Sequence, residues 1–276
     1  MSGGLPVGAC DCHFHVFDVA RYPYGIGRHY TPADAPLAGY LALCTLLGVD
    51  RSVLVHPTVF GADHSSFEAI LESQGPRMRG VAVVSPDTPD DDIARWHSLG
   101  ACGTRITTVF TGDPDLGAIR RIAAKVKPFG WHVQLLVDLV QRPQLVSQVH
   151  GMGVEVVVDH MGHHATAELL HSPGLANLLS LLADGVAWVK ASAPYRLSPH
   201  SHDDPAIQRL VQAFARANPQ RLVWGTDWPH PNSPHAVPAD ECLVSLLADW
   251  LPDAALRKAV LVDNPTQLYW AGAARA

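Results

Sequence analysis

The sequence predicts an α/β protein folded as a single (β/α)₈ TIM-type barrel that takes in residues 1–276. Eight short apolar or β-branched segments recur along the chain, and amphipathic segments typical of helices lie between them. Alternating strands and helices favour parallel strands covered by helices, and eight such units in about 250 residues match the size of a closed barrel. An open doubly wound sheet is the structural alternative, but its glycine-rich turn does not follow the first strand, where the chain reads FDVARYPYG.

Eight segments supply the predicted strands. They are, in chain order, residues 12–17, 51–57, 79–84, 101–107, 131–137, 154–160, 186–192 and 221–227. Helical patterns fill residues 37–48, 113–126 and 204–217, and the last two open with Asp-Pro, in which Asp caps a helix and Pro suits its first turn. Residues 18–36 form the longest irregular connection, and long loops on the active face of a barrel are often functional.

Composition limits the classes of function. With 47% hydrophobic and 17% charged residues, a chain of 276 residues can bury one large core. The 20 basic and 26 acidic residues give a net charge of −6, which offers no general attraction for nucleic acid or for an anionic membrane. No apolar run reaches the roughly 18 residues of a membrane span, and the start MSGGLPVGAC has no leader pattern, so we expect a cytoplasmic protein. A small molecule is the expected partner, and the sequence does not indicate the oligomeric state.

The first predicted strand contains a His-x-His pattern within CDCHFHVFD, residues 10–18. Strand alternation predicts an inner face with Asp11, His13 and His15 and an outer face with Cys12, Phe14 and Val16. A second His-x-His, at residues 200–202 in SPHSHDDP, is predicted to lie in a loop. Only the first pattern would therefore point two imidazoles into a barrel.

Further polar residues follow other predicted strands. His160 and Asp227 end the sixth and eighth strands, and Arg105 and Arg196 lie at or just past strand ends. Barrel enzymes place their chemistry at the carboxyl ends of the strands, and several polar groups buried on one rim are costly to desolvate without a function. The sequence therefore predicts a site at this end of the barrel.

Six motifs resemble the branch of the amidohydrolase superfamily that contains 2-pyrone-4,6-dicarboxylate lactonase. They are DCHFHVFD, RYPYGIGRHYTPADAP, DHMG at 159–162, KASAPYRLSP at 190–199, WGTDWPHPN at 224–232 and DNPTQLYW at 263–270. The resemblance runs from the first strand to the last helix. It implies a (β/α)₈ barrel that hydrolyses a lactone, with His13, His15, His160 and Asp227 at the family's catalytic positions.

Metal content is the first open question about this site. One Zn²⁺ at His13, His15, His160 and Asp227 is an alternative, since zinc binds imidazole nitrogen and carboxylate oxygen. Metal-dependent relatives usually add a histidine on strand five or a bridging lysine or glutamate on strand four, where this chain offers Gln134 and Arg105. The branch resembled here works without metal, so we predict no metal and no other cofactor.

Roles for the residues follow from that prediction. Asp227 is predicted to act as general base towards water. The three histidines, His13, His15 and His160, are predicted to point N–H donors at the lactone carbonyl, where charge develops. The residues predicted to bind substrate are Arg105, Arg196, Tyr30 and Thr58.

Departures from the family pattern bear on the substrate. In the resembled branch a second arginine follows the strand-four arginine six residues later, where this chain has Thr111, and a strand-five tyrosine is replaced by Leu136. We therefore expect one firmly held carboxylate and favour a muconolactone or sugar-acid lactone over the pyrone dicarboxylate. Three alternatives stay open: a lactone isomerase on the same site, a zinc-dependent amidohydrolase or decarboxylase, and a barrel that binds a small molecule without turnover.

Overall fold

The protein folds as the predicted barrel. The structure is a computed structural model that describes residues 5–110 and 114–271, so Thr111 lies outside the described residues. One eight-stranded sheet runs in the order β1 to β8, and each strand is parallel to the next. The strands are β1 Cys10–Phe14, β2 Arg51–Val55, β3 Met78–Ala82, β4 Ala101–Thr107, β5 His132–Leu136, β6 Val156–Val158, β7 Ala187–Ser192 and β8 Leu222–Gly225. Every predicted strand segment overlaps one of them.

Helices surround the strands. They are α1 Leu37–Leu47, α2 Ser65–Gln74, α3 Asp90–Ser98, α4 Leu116–Val126, α5 Leu145–His150, α6 Thr166–Leu169, α7 Pro173–Ala183, α8 Pro205–Ala217, α9 Asp240–Trp250 and α10 Ala254–Lys258. The three helical predictions correspond to α1, α4 and α8. Asp204 caps α8 as expected, since its carboxylate accepts from the Ala206 amide at 2.8 Å. Within the described ranges, no helix is long and apolar enough to cross a membrane.

The first and last strands close the barrel just beyond their ends. The Asp227 amide donates to the His13 carbonyl at 2.8 Å, and the His15 amide donates to the Trp228 carbonyl at 2.8 Å. A bridge between Phe14 and Trp228 has parallel sense. The seam between β1 and β8 therefore runs through the segment that carries the two histidines and Asp227.

The lower part of the barrel interior is filled with apolar side chains. This lower core consists of Cys10, Cys12, Val53, Val55, Val81, Val157, Trp188, Val223 and Tyr269. Tyr269 comes from the C-terminal segment Thr266–Trp270, so that segment packs against the bottom of the barrel. Among the described residues these apolar groups fill this end of the barrel, which leaves the carboxyl ends of the strands as the expected place for a polar ligand.

The predicted alternation of β1 is wrong at two residues because the strand contains a β-bulge. Between the pairs Asp11–Ser52 and Phe14–Leu54, β1 uses one residue more than β2. Cys12 therefore joins the lower core instead of facing the helices. Phe14 faces outward as predicted and stacks on Tyr40 of α1, with ring centroids 3.6 Å apart.

Asp11 was predicted to face inward, yet it lies between the barrel and α1. Its Oδ1 accepts from the Thr226 amide at 2.9 Å and the His13 amide at 3.0 Å. Its Oδ2 accepts from the Thr226 hydroxyl at 2.6 Å and the Tyr40 hydroxyl at 3.0 Å. Burial nevertheless raises the pKa of Asp11 to about 6. The carboxylate thus ties β1, the end of β8 and α1 together just behind the histidines.

We expect Tyr40→Phe to lower the free energy of unfolding by about 1–3 kcal/mol, because it leaves a buried carboxylate oxygen short of a donor. Urea unfolding measures the change. Tyr24→Phe is the matched control, since the one hydrogen bond of that hydroxyl within the described ranges is long, at 3.4 Å to the Pro32 carbonyl. Equal losses in the two variants would contradict a special contribution from the Asp11 contact.

Candidate active site

Four predicted residues meet at the carboxyl ends of the strands. His13 lies in the bulge of β1 and His15 follows that strand, His160 follows β6, and Asp227 follows β8. All four side chains are buried. The histidines of the SPHSHDDP segment do not join them; His202 is 65% exposed beside Asp203.

One oxygen of Asp227 lies at the centre of the group. The distances from Asp227 Oδ1 to the Nε2 atoms of His15, His160 and His13 are 3.6, 3.6 and 3.7 Å. This oxygen is buried and makes no hydrogen bond with any described residue. A buried oxygen without a partner is costly, so the position calls for a water, a substrate group or an ion.

The other oxygen of Asp227 is fully engaged. Oδ2 accepts from the Tyr195 hydroxyl at 2.8 Å and from Nε and Nη2 of Arg196 at 2.9 and 2.8 Å. Burial alone would raise the pKa of Asp227, but the Arg196 guanidinium outweighs burial and holds it well below the usual carboxyl range. Arg196 was expected to hold a substrate carboxylate; its Nη2 also binds the Pro231 carbonyl, which leaves only Nη1.

The backbone at the site is held in an unusual conformation. His160 has φ 48° and Asp227 has φ 63°, both in the left-handed region that non-glycine residues seldom occupy. Such conformations cost roughly 1–3 kcal/mol each and persist only where the surroundings fix them. At Asp227 the fixing contact is its own amide, which donates to the His13 carbonyl. The direction of the Asp227 side chain is therefore set at the seam between β1 and β8.

A second buried carboxylate, Asp159, lies beside the first group. Its Oδ2 accepts from Arg105 Nε at 3.1 Å and from Gln134 Nε2 at 3.0 Å. Its Oδ1 is 3.2 Å from His13 Nδ1 and 3.4 Å from Lys190 Nζ, but makes no hydrogen bond with a described residue. Burial raises the pKa of Asp159, and the neighbouring cations overcome that effect and place it well below the usual range.

Lys190 reaches the same cluster from β7 with its side chain fully buried. Its ammonium donates to Gln134 Oε1 at 2.7 Å and to the Cys12 carbonyl at 2.9 Å, and lies 3.2 Å from His13 Nδ1. Burial lowers the pKa of Lys190, while the charge of Asp159 opposes that shift. Two carboxylates and three cations, Arg105, Arg196 and Lys190, thus share one buried cluster.

The imidazoles in this cluster are neutral at neutral pH. Burial and the Lys190 charge lower the pKa of His13 to about 3, and burial also lowers the pKa values of His15 and His160. His15 Nδ1 lies 2.7 Å from the Val55 carbonyl, which can only accept. A neutral His15 therefore turns the lone pair of Nε2 towards Asp227, and not the N–H donor that the sequence led us to expect.

The remaining predicted substrate residues lie around one cavity and its edge. Thr58 and Arg105 line a cavity of about 240 Å³ whose other walls include Val84, Ile106 and Phe110. Tyr30 lies near the Phe110 ring, and the charges of Arg105, Asp227 and Arg196 all act on its hydroxyl. Burial raises the pKa of Tyr30 to about 12, so it is a neutral donor and acceptor.

A divalent ion would fit this site by distance. The ligand atoms of His13, His160 and Asp227 lie within 4.8 Å of one another, all buried. Ligand atoms around a tetrahedral zinc are about 3.3 Å apart. Asp227 Oδ1 lies 3.7 and 3.6 Å from the Nε2 atoms of His13 and His160. The unbonded Oδ1 of Asp227 is also an atom that an ion would satisfy. The three cations of the cluster work against such binding, because they repel a second positive charge.

Several residues of the cluster had no predicted role. Gln134, Asp159, Lys190 and Ser192 were visible as polar strand ends, and Tyr195 precedes Arg196 in KASAPYRLSP. Ser192 Oγ lies 3.0 Å from His160 Nδ1. A usable signal was Lys190 itself, since a lysine placed inward by alternation in VAWVKAS must find buried acceptors.

Known proteins resemble the whole chain. A family model described as amidohydrolase matches residues 10–270. A 2-pyrone-4,6-dicarboxylate hydrolase from Comamonas testosteroni is 35% identical, with 96% of this chain and 91% of that protein covered. A 4-sulfomuconolactone hydrolase from Hydrogenophaga intermedia is 30% identical, with 96% and 89% covered. The crystal structure of a putative 2-pyrone-4,6-dicarboxylic acid hydrolase from Pseudomonas putida superimposes with a TM-score of 0.83 at 31% identity, covering 96% of this chain and 98% of that one.

Proposed function

The chain belongs to the amidohydrolase family, and on that premise we propose that it is a hydrolase that opens a lactone of a small carboxylated substrate. The relatives named as hydrolases of a pyrone dicarboxylate and of a sulfomuconolactone support this reaction class. The observation that carries the proposal is the single unbonded oxygen of Asp227, buried at the barrel mouth among three imidazoles.

In the proposed reaction Asp227 is the general base. Its Oδ1 lies 3.6 Å from His15 Nε2, whose lone pair faces the Nε2 of His13 at 3.3 Å. When the substrate carbonyl takes the His13 N–H, this lone pair is released, and a water can donate one proton to it and one to Asp227 Oδ1. That arrangement holds a lone pair of the water free for attack on the lactone carbonyl carbon. As the new C–O bond forms, the water proton passes to Asp227 Oδ1.

Charge then develops on the carbonyl oxygen. We assign its stabilisation to His13 and His160, whose Nε2 atoms lie on the other sides of Asp227 Oδ1. Collapse of the tetrahedral intermediate breaks the ring C–O bond, and the leaving oxygen takes the proton from Asp227. The product is the open-chain hydroxy acid or its keto form, and Asp227 is regenerated as a carboxylate.

The charge of the cluster favours an anionic substrate. With the histidines neutral, Asp159 and Asp227 balance only two of the three cations. Arg105 uses Nε for Asp159, and its terminal nitrogens make no hydrogen bond with a described residue, so its fork can receive a carboxylate. The apolar cavity beside Arg105 suits an uncharged part of the same molecule, consistent with one firmly held carboxylate.

We propose that this reaction does not depend on a metal. If zinc bound, His13, His160 and Asp227 would hold it, and it would supply Lewis-acid polarisation of the carbonyl and a more acidic water. The roles given above to Asp227, His15 and Arg105 use only groups of the chain and do not require that ion.

Screening of purified protein against a lactone panel, with metal analysis of the same sample, tests the function. We expect a monocarboxylated lactone, of the muconolactone or sugar-acid type, to be opened to its acid, with activity kept after chelation. Conversion to an isomeric lactone would show an isomerase, and tight binding without turnover would show a binding protein. Activity lost on chelation and restored by zinc would contradict metal independence.

Asp227→Asn should lower turnover by about 10²-fold or more while substrate binding largely survives, because the amide keeps the hydrogen bonds but cannot take the proton. In the unmodified enzyme kcat/KM should stay flat from neutral pH down to about pH 4 and fall only below it, because the base must be deprotonated and its pKa is held low. Asp203→Asn, at an exposed loop carboxylate, is the matched control. Near-normal turnover in Asp227→Asn would remove this residue from the mechanism.

The Arg105→Met and Arg196→Met variants should differ in how strongly each prefers a methyl ester over the corresponding acid substrate. Arg105→Met should lower kcat/KM for the acid about 10–100-fold more than for the ester, since a charged hydrogen bond is lost only with the acid. Arg196→Met should lower both about equally, since it acts on Asp227. Steady-state kinetics on both variants measures this, and a reversed pattern would exchange the two assignments.

A further inference from the structure

The hydrogen atoms of His13 can be placed from a chain of contacts that begins at the Val55 carbonyl. His15 Nδ1 lies 2.7 Å from that oxygen and must donate to it. Neutral His15 therefore has a lone pair on Nε2. His13 Nε2 lies 3.3 Å from this atom in hydrogen-bonding geometry, so it must be the donor. A neutral His13 has a single N–H, which leaves Nδ1 as an acceptor.

The contacts at the other ring nitrogen of His13, Nδ1, also indicate that the proton is on Nε2. Lys190 Nζ lies 3.2 Å from His13 Nδ1 in hydrogen-bonding geometry, and its other two protons go to Gln134 Oε1 and the Cys12 carbonyl. Asp159 Oδ1 is equally near His13 Nδ1, at 3.2 Å, but makes no hydrogen bond within the described part of the chain. A lysine ammonium has three donors, and three acceptors account for all of them.

We infer that Lys190 is a positioning residue that fixes the tautomer of His13, so that His13 presents an N–H and not a lone pair to the site. The functional consequence of this inference rests on the proposed function, in which the His13 N–H donates to the substrate carbonyl oxygen. In this tautomer the Nε2 of His13 cannot ligate a metal ion, because a ligating nitrogen must offer its lone pair.

Removal of Lys190 would move the His13 proton from Nε2 to Nδ1. Asp159 is the other neighbour of His13 Nδ1, and a carboxylate can only accept, so His13 would then carry its proton on Nδ1. Its Nε2 lone pair would turn towards His160 and Asp227. A histidine backed by a carboxylate is the arrangement in which imidazoles usually ligate zinc. Lys190 thus determines whether His13 Nε2 offers an N–H donor to the site or a lone pair that could ligate a metal ion.

The first experiment reads the tautomer directly by NMR of ¹⁵N-histidine-labelled, metal-free protein, with the His13 signals assigned from a His13→Gln variant. We expect the proton on Nε2 in the unmodified protein and on Nδ1 in Lys190→Met. Lys258→Met is the matched control, since it removes the same charge from an exposed lysine paired with Asp263, and it should leave His13 unchanged. A proton on Nδ1 in the unmodified protein would overturn the inference, whether or not Lys190→Met folds.

A second variant distinguishes the two neighbours of His13. Asp159→Asn should leave the proton on Nε2, because Lys190 still donates to Nδ1. A shift of the proton in this variant would identify Asp159 as the residue that sets the tautomer, and would overturn the inference.

Zinc titration by calorimetry gives a readout that does not involve turnover. We expect Lys190→Met to bind Zn²⁺ at least about tenfold more tightly than the unmodified protein and the Lys258→Met control, the usual size of an effect from a group behind a metal ligand. Equal affinities in all three proteins would overturn the inference. Because neither measurement uses a lactone, failure here and failure of the proposed hydrolysis can be told apart.

Discussion

The Asp227 carboxylate is shared unequally between two sets of partners, and the rest of the site depends on that division. Tyr195 and Arg196 saturate Oδ2, which keeps the group ionised despite complete burial. Oδ1 is left without a hydrogen bond at the point where the imidazoles meet. The contacts that lower the basicity of the carboxylate are thus the ones that aim its free oxygen. In the proposed reaction this position is what makes Asp227 usable as a base, since a low pKa alone would make it a weak one.

Each carboxylate of the cluster has a cation nearby, although the cations outnumber the carboxylates by one. Asp159 stands between Arg105 and Lys190, and Asp227 stands against Arg196, so each carboxylate has a cation in contact or nearly so. One of the three cations, Arg105, also borders the apolar cavity. A small anion entering there would complete the balance, whereas a divalent cation would increase the excess. The electrostatics and the apolar wall therefore favour the same kind of ligand.

The sequence was enough to predict the barrel and the meeting of His13, His15, His160 and Asp227 at its mouth, because strand periodicity and strand ends are local features. It could not show the bulge in β1, since the extra residue is visible only against its partner β2. It also could not show that Arg196 binds the Oδ2 oxygen of Asp227. His15 shows the same limit, because its tautomer depends on a carbonyl forty positions away.

The bulge links the stability of the barrel to its chemistry. By adding one residue, β1 turns both Cys12 and His13 inward, one to the lower core and the other to the site. Asp11 is thereby placed outside, where it binds the His13 amide and the amide and hydroxyl of Thr226, the residue before Asp227. The seam that closes the barrel and the geometry between Asp227 and His13 are then one hydrogen-bonded unit. A regular β1 would separate the two, because alternation would leave Cys12 facing the helices and remove Asp11 from the seam.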